Sequence, residues 1–299
     1  MTATILIQHI CNGLMLGSLY ALLAIGYTMV YGILRLINFA HCDIFMLAMY
    51  LSFYSITVFG LPWYFAFLVV IAATAAFGIL TERLAYAPLR RQNAPSISLL
   101  TSAIGMSYLL ENLATVVFSG RPKSYPDIPL LTAPITVGGV HLSRLMIIVP
   151  VTTVVLLVLL HLLINKTKMG MAMRGVAKDA DASQLMGISI DATIMFTFGI
   201  GSALAAIGAI LFGLKYPQIT PLVGVTPGLK CFIAAVIGGI GNVWGAVIGG
   251  VGLGLIEVLL VAFFPSASGY KDAFAFVILI VILLVRPNGI LGEKIADKV

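Results

Sequence analysis

The chain has 299 residues, of which 61% are hydrophobic and 9% are charged, and its formal net charge is +6. An average soluble domain has roughly 25% charged residues, so the composition excludes an ordinary water-soluble domain. The basic residues form no clustered face of the kind that binds nucleic acid. The short alternating segments of a transmembrane barrel are absent as well.

Long apolar segments recur along the chain, and each approaches the about 20 residues that cross a hydrocarbon core of roughly 30 Å. They predict an all-α fold, a polytopic helical membrane protein with about eight or nine transmembrane helices in a single transmembrane domain, residues 1–299. No basic region or cleavage site marks the first segment as a signal peptide, so we interpret it as a retained span. The predicted spans are residues 5–31, 37–59, 62–82, 96–118, 144–164, 192–214, 229–264 and 271–286.

Two polar connections separate the predicted spans. Residues 119–143 are rich in proline and predict an external loop of turns and short strands. Residues 165–191 predict a cytoplasmic loop with a short helix from Lys178 to Gly187. A membrane protein that exposes a compact amphipathic helix between two spans typically offers it to a soluble partner.

The features of that short helix can be assigned from the sequence. Asp179 or Asp181 suits its first turn, where the helix dipole favours negative charge. Leu185 and Met186 supply an apolar patch, and Gly187 permits the left-handed residue that ends a helix. The alternative is an ordinary amphipathic connector that lies on the membrane surface.

The segment 229–264 is longer than one span requires. Its glycine-rich middle, Gly238-Gly239-Ile240-Gly241-Asn242, predicts a break, so the segment is either two crossings or a re-entrant half-helix followed by a full helix. Other glycine stripes indicate close helix packing: Gly199, Gly201, Gly208 and Gly213, and Gly245, Gly249, Gly250 and Gly254. The three cysteines, Cys11, Cys42 and Cys231, have no paired spacing and are interpreted as small buried hydrophobes.

The distribution of basic residues predicts the orientation, because cytoplasmic loops carry an excess of Lys and Arg. We assign one set of connections to the cytoplasm, which places the N-terminus outside and the C-terminus inside. That set holds Arg35, Arg83, Arg90, Arg91, Lys166, Lys168, Arg174, Lys178, Arg286, Lys294 and Lys298. The external set holds Arg121, Lys123, Arg144, Lys215, Lys230 and Lys271.

Part of the 165–191 loop resembles a known docking motif. Asp181-Ala182-Ser183, three further residues and Gly187 are similar to the Glu-Ala-Ala-x-x-x-Gly loop of ABC-transporter permeases, whose short helix docks on an ATPase subunit. Asp and Ser replace Glu and the second Ala, and the usual Ile-x-Leu-Pro tail is missing. On this resemblance the docking residues are Lys178, Asp179, Asp181, Ala182, Ser183, Leu185, Met186 and Gly187.

Further motifs, in one order over nearly the full length, resemble the shorter of the two permease types of high-affinity branched-chain amino acid ABC transporters. The segment from Asn38 to Asp43 is similar to the Asn-Phe-Ala-His-Gly-Glu signature of that family, with Cys42 for Gly and Asp43 for Glu. Trp244 stands where the family often has Pro. The other matching segments are residues 174–179, 185–188, 228–241, 245–250 and 286–292.

The resemblance implies a permease of an ATP-driven importer that moves leucine, isoleucine or valine by alternating access. It implies two cytoplasmic ATP-binding subunits, an external amino-acid-binding protein, and a second permease that forms a heterodimer or a homodimer. It also implies the bacterial cytoplasmic (inner) membrane. The sequence has no Gly-x-x-x-x-Gly-Lys-Ser/Thr motif, so we expect no cofactor on this chain, with ATP and magnesium on the partner subunits. We therefore expect a transport subunit and not an enzyme.

Ionisable and polar residues inside a membrane are costly, so they invite a functional interpretation. We predict the translocation pathway or gate from Asn12, Asn38, His41, Asp43, Glu111, Asn112, Gly239, Gly241 and Asn242. The structural alternative for His41 is a satisfied packing histidine, and for Asp43 a helix cap or a pair with Arg35 near the interface. Lys230 is a plausible counter-charge for Glu111 or Glu257.

Other functions remain open at this point. A permease for urea or short amides is very similar over these motifs. An ion-coupled secondary transporter would use Glu111, Glu257 and Lys230 as a relay, and its transport would collapse with an uncoupler. An intramembrane enzyme would need paired catalytic groups, and none can be assembled from the sequence.

Overall fold

Helices dominate the residues that the computed structural model describes, 3–137 and 140–292. Seven of these helices are long and apolar enough to cross a membrane, and a shorter apolar helix, Val225–Gly238, joins them. The predicted polytopic helical fold is therefore confirmed. The helices of 15 residues or more are α1 (Ala3–Leu34), α2 (Ala40–Thr57), α3 (Trp63–Thr81), α5 (Ser96–Phe118), α7 (Leu145–Lys166), α10 (Ile190–Lys215), α12 (Val243–Phe263) and α13 (Lys271–Val285). The shorter ones are α4 (Ala87–Arg91), α6 (Pro129–Thr132), α8 (Lys168–Lys178), α9 (Ala180–Leu185) and α11 (Val225–Gly238).

Helix α1 is the centre of the bundle. It is apolar around its whole circumference and packs against α7, α10, α11 and α12, as expected for a buried helix. By contrast α3, α5, α7 and α13 leave much of their apolar surface exposed, which suits a lipid environment or a partner in the membrane.

The predicted glycine stripes are close-packing surfaces. A Cβ at Gly250 in α12 would lie 2.6 Å from the backbone nitrogen of Ala21 in α1, and one at Gly254 would overlap the Cα of Gly17. The two helix backbones therefore touch directly, which only small residues allow. The stripe on α10 packs in the same way, with Gly201 against Gly26 of α1.

We expect Gly254→Val to destabilise the bundle by about 1–3 kcal/mol, because the added side chain forces α1 and α12 apart. Gly252→Val on the same helix is the matched control, since a Cβ there meets nothing within 4 Å. Thermal unfolding of the detergent-purified chain measures both. Equal unfolding temperatures for the two variants would contradict the packing assignment.

The predicted break in segment 229–264 is confirmed, and it takes the form of a half-helix followed by a full one. Helix α11 has 14 residues, which at about 1.5 Å rise per residue is too short to cross a membrane. It also begins at Val225, four residues before the predicted span. Gly239 (φ +106°) and Gly241 (φ +94°) adopt left-handed conformations that open the turn to α12.

The end of α11 is completed by the last described residues of the chain. The backbone N–H groups of Ile290 and Leu291 donate to the carbonyls of Ile237 and Gly238, each at 2.9 Å. These carbonyls belong to the last turn of α11, where helical partners run out, so Ile290 and Leu291 supply the missing donors.

The two ends of the bundle differ. One end, which we call the strand end, carries two small antiparallel pairs: β1 (Lys123–Ser124) with β4 (Gln218–Ile219), and β2 (Pro134–Val137) with β3 (Val140–Ser143). The short strands predicted for residues 119–143 are thus present, although residues 138–139 of that loop lie outside the described part. The opposite end, the loop end, carries residues 165–191, the break between α11 and α12, and the end of α1. Lys294 and Lys298, which entered the orientation argument, also lie outside the described residues.

Candidate functional site

The 165–191 connection contains two helices where the sequence predicted one. Helix α8 begins after Thr167, whose side-chain oxygen accepts from the N–H of Gly170, and its buried face packs against α1, α7 and α10. Lys178 is the last residue of α8, so the prediction that it starts the docking helix is wrong. The physical reason is Asp179, whose extended backbone (φ −154°, ψ 105°) separates the two helices.

Helix α9, Ala180–Leu185, carries the predicted docking features. The Asp179 carboxylate caps it by accepting from the N–H of Ala182 at 3.0 Å, and Asp181 lies in its first turn. Leu185 is 90% exposed and Met186 is 83% exposed. Gly187 ends the turn with φ +81°, as predicted. Two large apolar side chains are therefore displayed at the loop end, on a segment with few buried contacts of its own.

The segment from α9 to α10 is short and hydrogen-bonded. The N–H of Ile188 donates to the carbonyl of Ser183 at 3.1 Å, and Ser189 caps α10 through the N–H of Ala192. Asp191 follows in the first turn of α10. Asp191 is therefore joined to α9 by a short connection that is held by hydrogen bonds.

Asp191 belongs to an ionic cluster that the sequence did not reveal. Arg90 donates to Asp191 at 2.5 Å and to the buried Glu82 at 2.7 Å, and Arg91 donates to the second oxygen of Asp191 at 2.9 Å. Glu82 opens a π-helical turn, Glu82–Tyr86, that joins α3 to α4. About a hundred residues separate the arginines from Asp191, so no local pattern could have paired them.

The start of α2 brings Asn38, His41 and Asp43 together in a buried region. The hydroxyl of Tyr86, from the π-helical turn, donates to Oδ1 of Asn38 at 2.7 Å. The His41 ring packs against Gly26 of α1, about 12 Å from the end of α1 at about 1.5 Å per residue. This polar group therefore lies within the bundle and not at its surface.

The structure tests the structural alternatives for these residues in part. The His41 ring is buried, hydrogen-bonded to the backbone of Leu23 and packed edge-on against Tyr27, as the packing alternative predicts, while Nε2 of His41 and Oδ2 of Asp43 have no hydrogen-bond partner among the protein atoms. Among the ion pairs of the described residues, none joins Asp43 to Arg35. The reason is position: Asp43 is buried in the first turn of α2, with Ser107 of α5 as its hydrogen-bonding neighbour. A gate role for either residue stays a prediction.

The remaining predicted pathway residues are dispersed. Glu111 is half-buried and Asn112 is exposed on α5, where its amide donates to the carbonyl of Tyr108 in the same helix. Asn12 is half-buried on α1 toward the strand end. The structure does not bring these three residues into one site, and their pathway role stays a prediction.

Gly239, Gly241 and Asn242 form the break between α11 and α12. Oδ1 of Asn242 caps α12 by accepting from the N–H groups of Trp244 (3.0 Å) and Gly245 (3.2 Å). Its Nδ2 donates to the carbonyl of Leu291 at 3.0 Å. This geometry gives all three residues a structural task at the loop end, close to Gly32 of α1.

Lys230 is the counter-charge of Glu257 and not a residue of an external loop. Its Nζ lies 2.7 Å from Glu257 and 2.8 Å from Asp272, and both Lys230 and Glu257 are buried. Tyr20 donates to the second oxygen of Glu257 at 3.1 Å, and Lys271 lies 3.6 Å away. Pairing of Lys230 with Glu111, the other alternative, does not occur. The cluster joins α1, α11, α12 and α13.

The part of the chain that the structure describes offers no group of three or more His, Cys, Asp or Glu residues that could hold a metal ion. Cys11, Cys42 and Cys231 are free thiols. What the geometry provides is an exposed helix, α9, connected through ionic contacts to buried polar residues at the start of α2. Such an arrangement is suited to conformational coupling.

Comparison with known proteins identifies the class. The family model for the permease component of branched-chain amino acid transport systems matches residues 9–283. The chain belongs to this permease family. It is 41% identical to the high-affinity branched-chain amino acid transport system permease protein BraD of Pseudomonas aeruginosa, over 98% of both chains. It is 39% identical to LivH of Escherichia coli K12, over 98% of this chain and 97% of the relative.

A more distant relative extends the comparison. The permease is 28% identical to the probable branched-chain amino acid transport permease protein LivH of Methanocaldococcus jannaschii, over 92% of this chain and 89% of that one. No solved structure matches the permease. The family named from the sequence motifs is confirmed, and the permease is a multi-pass membrane component of a transport system.

Proposed function

We propose that this permease is the membrane-spanning subunit of an ATP-driven importer that moves leucine, isoleucine and valine into the cytoplasm by alternating access. The observation that carries the proposal is the 41% identity to BraD over 98% of both chains. The mostly apolar bundle suits substrates with branched aliphatic side chains.

The partners follow from the exposed helix α9. Leu185 and Met186 are the kind of apolar anchors that fill a hydrophobic groove on a partner protein. We assign that groove to an ATP-binding subunit on the cytoplasmic side, with two such subunits in the complex. ATP and magnesium then bind to the partners, and this chain holds no cofactor. A second permease and an external amino-acid-binding protein complete the importer.

The orientation proposal gains from the position of Lys230. With Lys230 buried in the core, the strand end keeps fewer basic residues of its own, and the loop end keeps all those first assigned to it among the described residues. We therefore place the loop end in the cytoplasm of a bacterial inner membrane, by the positive-inside rule. The strand-end residues are Arg121, Lys123, Arg144, Lys215 and Lys271.

A reporter fusion checks this orientation. Alkaline phosphatase, which is active only outside the cytoplasm, is expected to be inactive when it is inserted after Met186 and active when it is inserted after Arg121. Insertions at these two exposed sites leave the bundle core untouched. The reverse pattern of activity would invert the proposed orientation.

The function is tested by co-purification and reconstitution. The permease is isolated from its native membrane in mild detergent, the bound chains are identified, and the complex is placed in proteoliposomes with ATP and radiolabelled leucine. We expect ATPase subunits and a second permease in the preparation, and leucine uptake that requires ATP and survives an uncoupler.

Each other result points elsewhere. Uptake of urea in place of leucine would indicate the amide permease. A chain that purifies alone and transports under an ion gradient, with loss of transport on addition of an uncoupler, would indicate the secondary transporter.

A further inference from the structure

The region between the docking helix α9 and the start of α2 is joined by one series of polar contacts. Asp191 receives hydrogen bonds from Arg90 at 2.5 Å, and Arg90 also binds the buried Glu82 at 2.7 Å. Glu82 and Tyr86 are the first and last residues of the π-helical turn. The Tyr86 hydroxyl then binds Asn38 at 2.7 Å, just before α2 begins.

The beginning of this series is mechanically tied to α9. The α9–α10 connection is held by the bond from Ile188 to Ser183 and by the Ser189 cap. Asp191 is therefore linked to α9 by a short, hydrogen-bonded connection. The two arginines make three hydrogen bonds to its two oxygens, and such forked contacts constrain direction as well as distance.

Four buried polar atoms along the series and at the start of α2 have no hydrogen-bond partner among the protein atoms: Oε2 of Glu82, Nδ2 of Asn38, Nε2 of His41 and Oδ2 of Asp43. Leaving such groups unpaired is unfavourable, so a rearrangement that pairs them would be favoured. Arg35, in the connection before α2, has a left-handed φ of +51°, a strained conformation that is typical of switch segments.

We propose that Asp191, Arg90, Glu82, Tyr86 and Asn38 form a relay that transmits displacement of α9 to the start of α2, where His41 and Asp43 lie. The π-helical turn is the movable element, because its wide backbone can convert to α-helix and rotate Tyr86 relative to Glu82. The relay residues act by positioning α2 and do not bind substrate. This inference rests on the proposed function, since ATP-driven movement of α9 is what the relay transmits.

The first test removes a single hydroxyl. Tyr86→Phe keeps the ring that packs against Phe198 and deletes the bond to Asn38. The matched control is Tyr125→Phe at the strand end, which also deletes a buried hydroxyl bond, to Ser52 at 2.5 Å. Burial raises the pKa of Tyr125 to about 12, so its hydroxyl is protonated at neutral pH.

We expect Tyr86→Phe to keep the ATPase subunits bound and to lower the leucine transported per ATP hydrolysed by about tenfold, within the roughly 5–150-fold range of coupling between sites. Tyr125→Phe, with a similar loss of thermal stability, keeps the wild-type ratio. Equal ratios for Tyr86→Phe and wild type would overturn the relay.

A second variant tests the ionic half. Asp191→Asn is isosteric at a partly exposed position, so the fold is retained, and Asp191→Glu restores the charge. We expect Asp191→Asn to uncouple transport from hydrolysis and Asp191→Glu to recover it. Normal coupling in Asp191→Asn would remove the ionic contacts from the relay.

A measurement without partners separates this inference from the function. Amide hydrogen exchange of the purified permease is expected to be faster at residues 38–43 in Asp191→Asn than in wild type, and unchanged there in Tyr125→Phe. Faster exchange at 38–43 in Asp191→Asn, together with no leucine transport by the wild-type complex, would support the relay and reject the proposed function. Unchanged exchange with normal leucine transport would do the reverse.

Discussion

Replacing Leu185 and Met186 together with glutamate is expected to abolish leucine uptake while the permease itself remains folded. Both side chains are almost fully exposed, so the substitution removes no buried contact from the bundle. It instead places two charges where an apolar groove of the ATP-binding subunit would receive them, which is costly without a partner charge. We expect the ATPase subunits to be lost on co-purification and uptake to fall below about one-tenth of wild type, as for loss of an interface hot spot.

The control is Phe59→Glu, since Phe59 is 73% exposed and follows the end of α2 that faces the strand end. That variant is expected to keep its ATPase subunits.

Gly187→Pro tests the backbone conformation at the end of α9, because proline cannot adopt φ +81° and lacks the N–H that binds Gln184. It should unwind the end of α9 and release the ATPase in the same way. Normal uptake in both the double glutamate variant and Gly187→Pro would remove the docking assignment.

Lys230→Met is expected to cost about 3–5 kcal/mol of stability, the largest structural effect of a single substitution that the bundle predicts, because it leaves Glu257 buried without its closest cation. The pair is almost inaccessible to solvent on both sides. The measurement is thermal unfolding in detergent, with expression level as a second readout.

Lys271→Met is the matched control, because Lys271 lies farther from Glu257, at 3.6 Å, and is about half exposed; exposed pairs contribute only about 0–1 kcal/mol. Adding Glu257→Leu to Lys230→Met should recover part of the loss, since removing both members of a buried pair is often nearly neutral. Should Lys230→Met unfold at the wild-type temperature, the cluster has no structural role and a transport role becomes the better explanation.

Much of the fold could be predicted from the sequence because the physical signals are local. The length of the apolar segments predicts the spans. The glycines from Gly238 to Gly241 predict the break, because the positive φ angles of Gly239 and Gly241 favour glycine. Gly187 gave the end of the docking helix for the same reason. The predicted start of that helix at Lys178 is wrong because the residues on both sides of Lys178 suit a helix. The extended backbone of Asp179 sets the boundary between α8 and α9.

The site was harder to predict because its contacts are distant in sequence. Arg90 and Arg91 read as loop charges that report orientation, whereas the fold brings them onto Asp191 and Glu82. Lys230 was counted with the external loop residues in the orientation argument, although Glu257 was also named as its possible partner, and the fold confirms that partner and adds Asp272. Burial also overturned the simple assignment for Asp43: its depth in α2 removes it from Arg35 and leaves one oxygen unpaired.

The dependence of α11 on Ile290 and Leu291 has a consequence for biogenesis. Helix α11 is synthesised about fifty residues before Ile290 and Leu291. Its last carbonyls therefore lack these two donors until the later segment has been made. Ribosome stalling or truncation before Ile290 therefore yields a chain whose spans are present yet whose half-helix ends on bare carbonyls. Such a product is expected to be less stable than the finished permease, because buried carbonyls without donors are unfavourable.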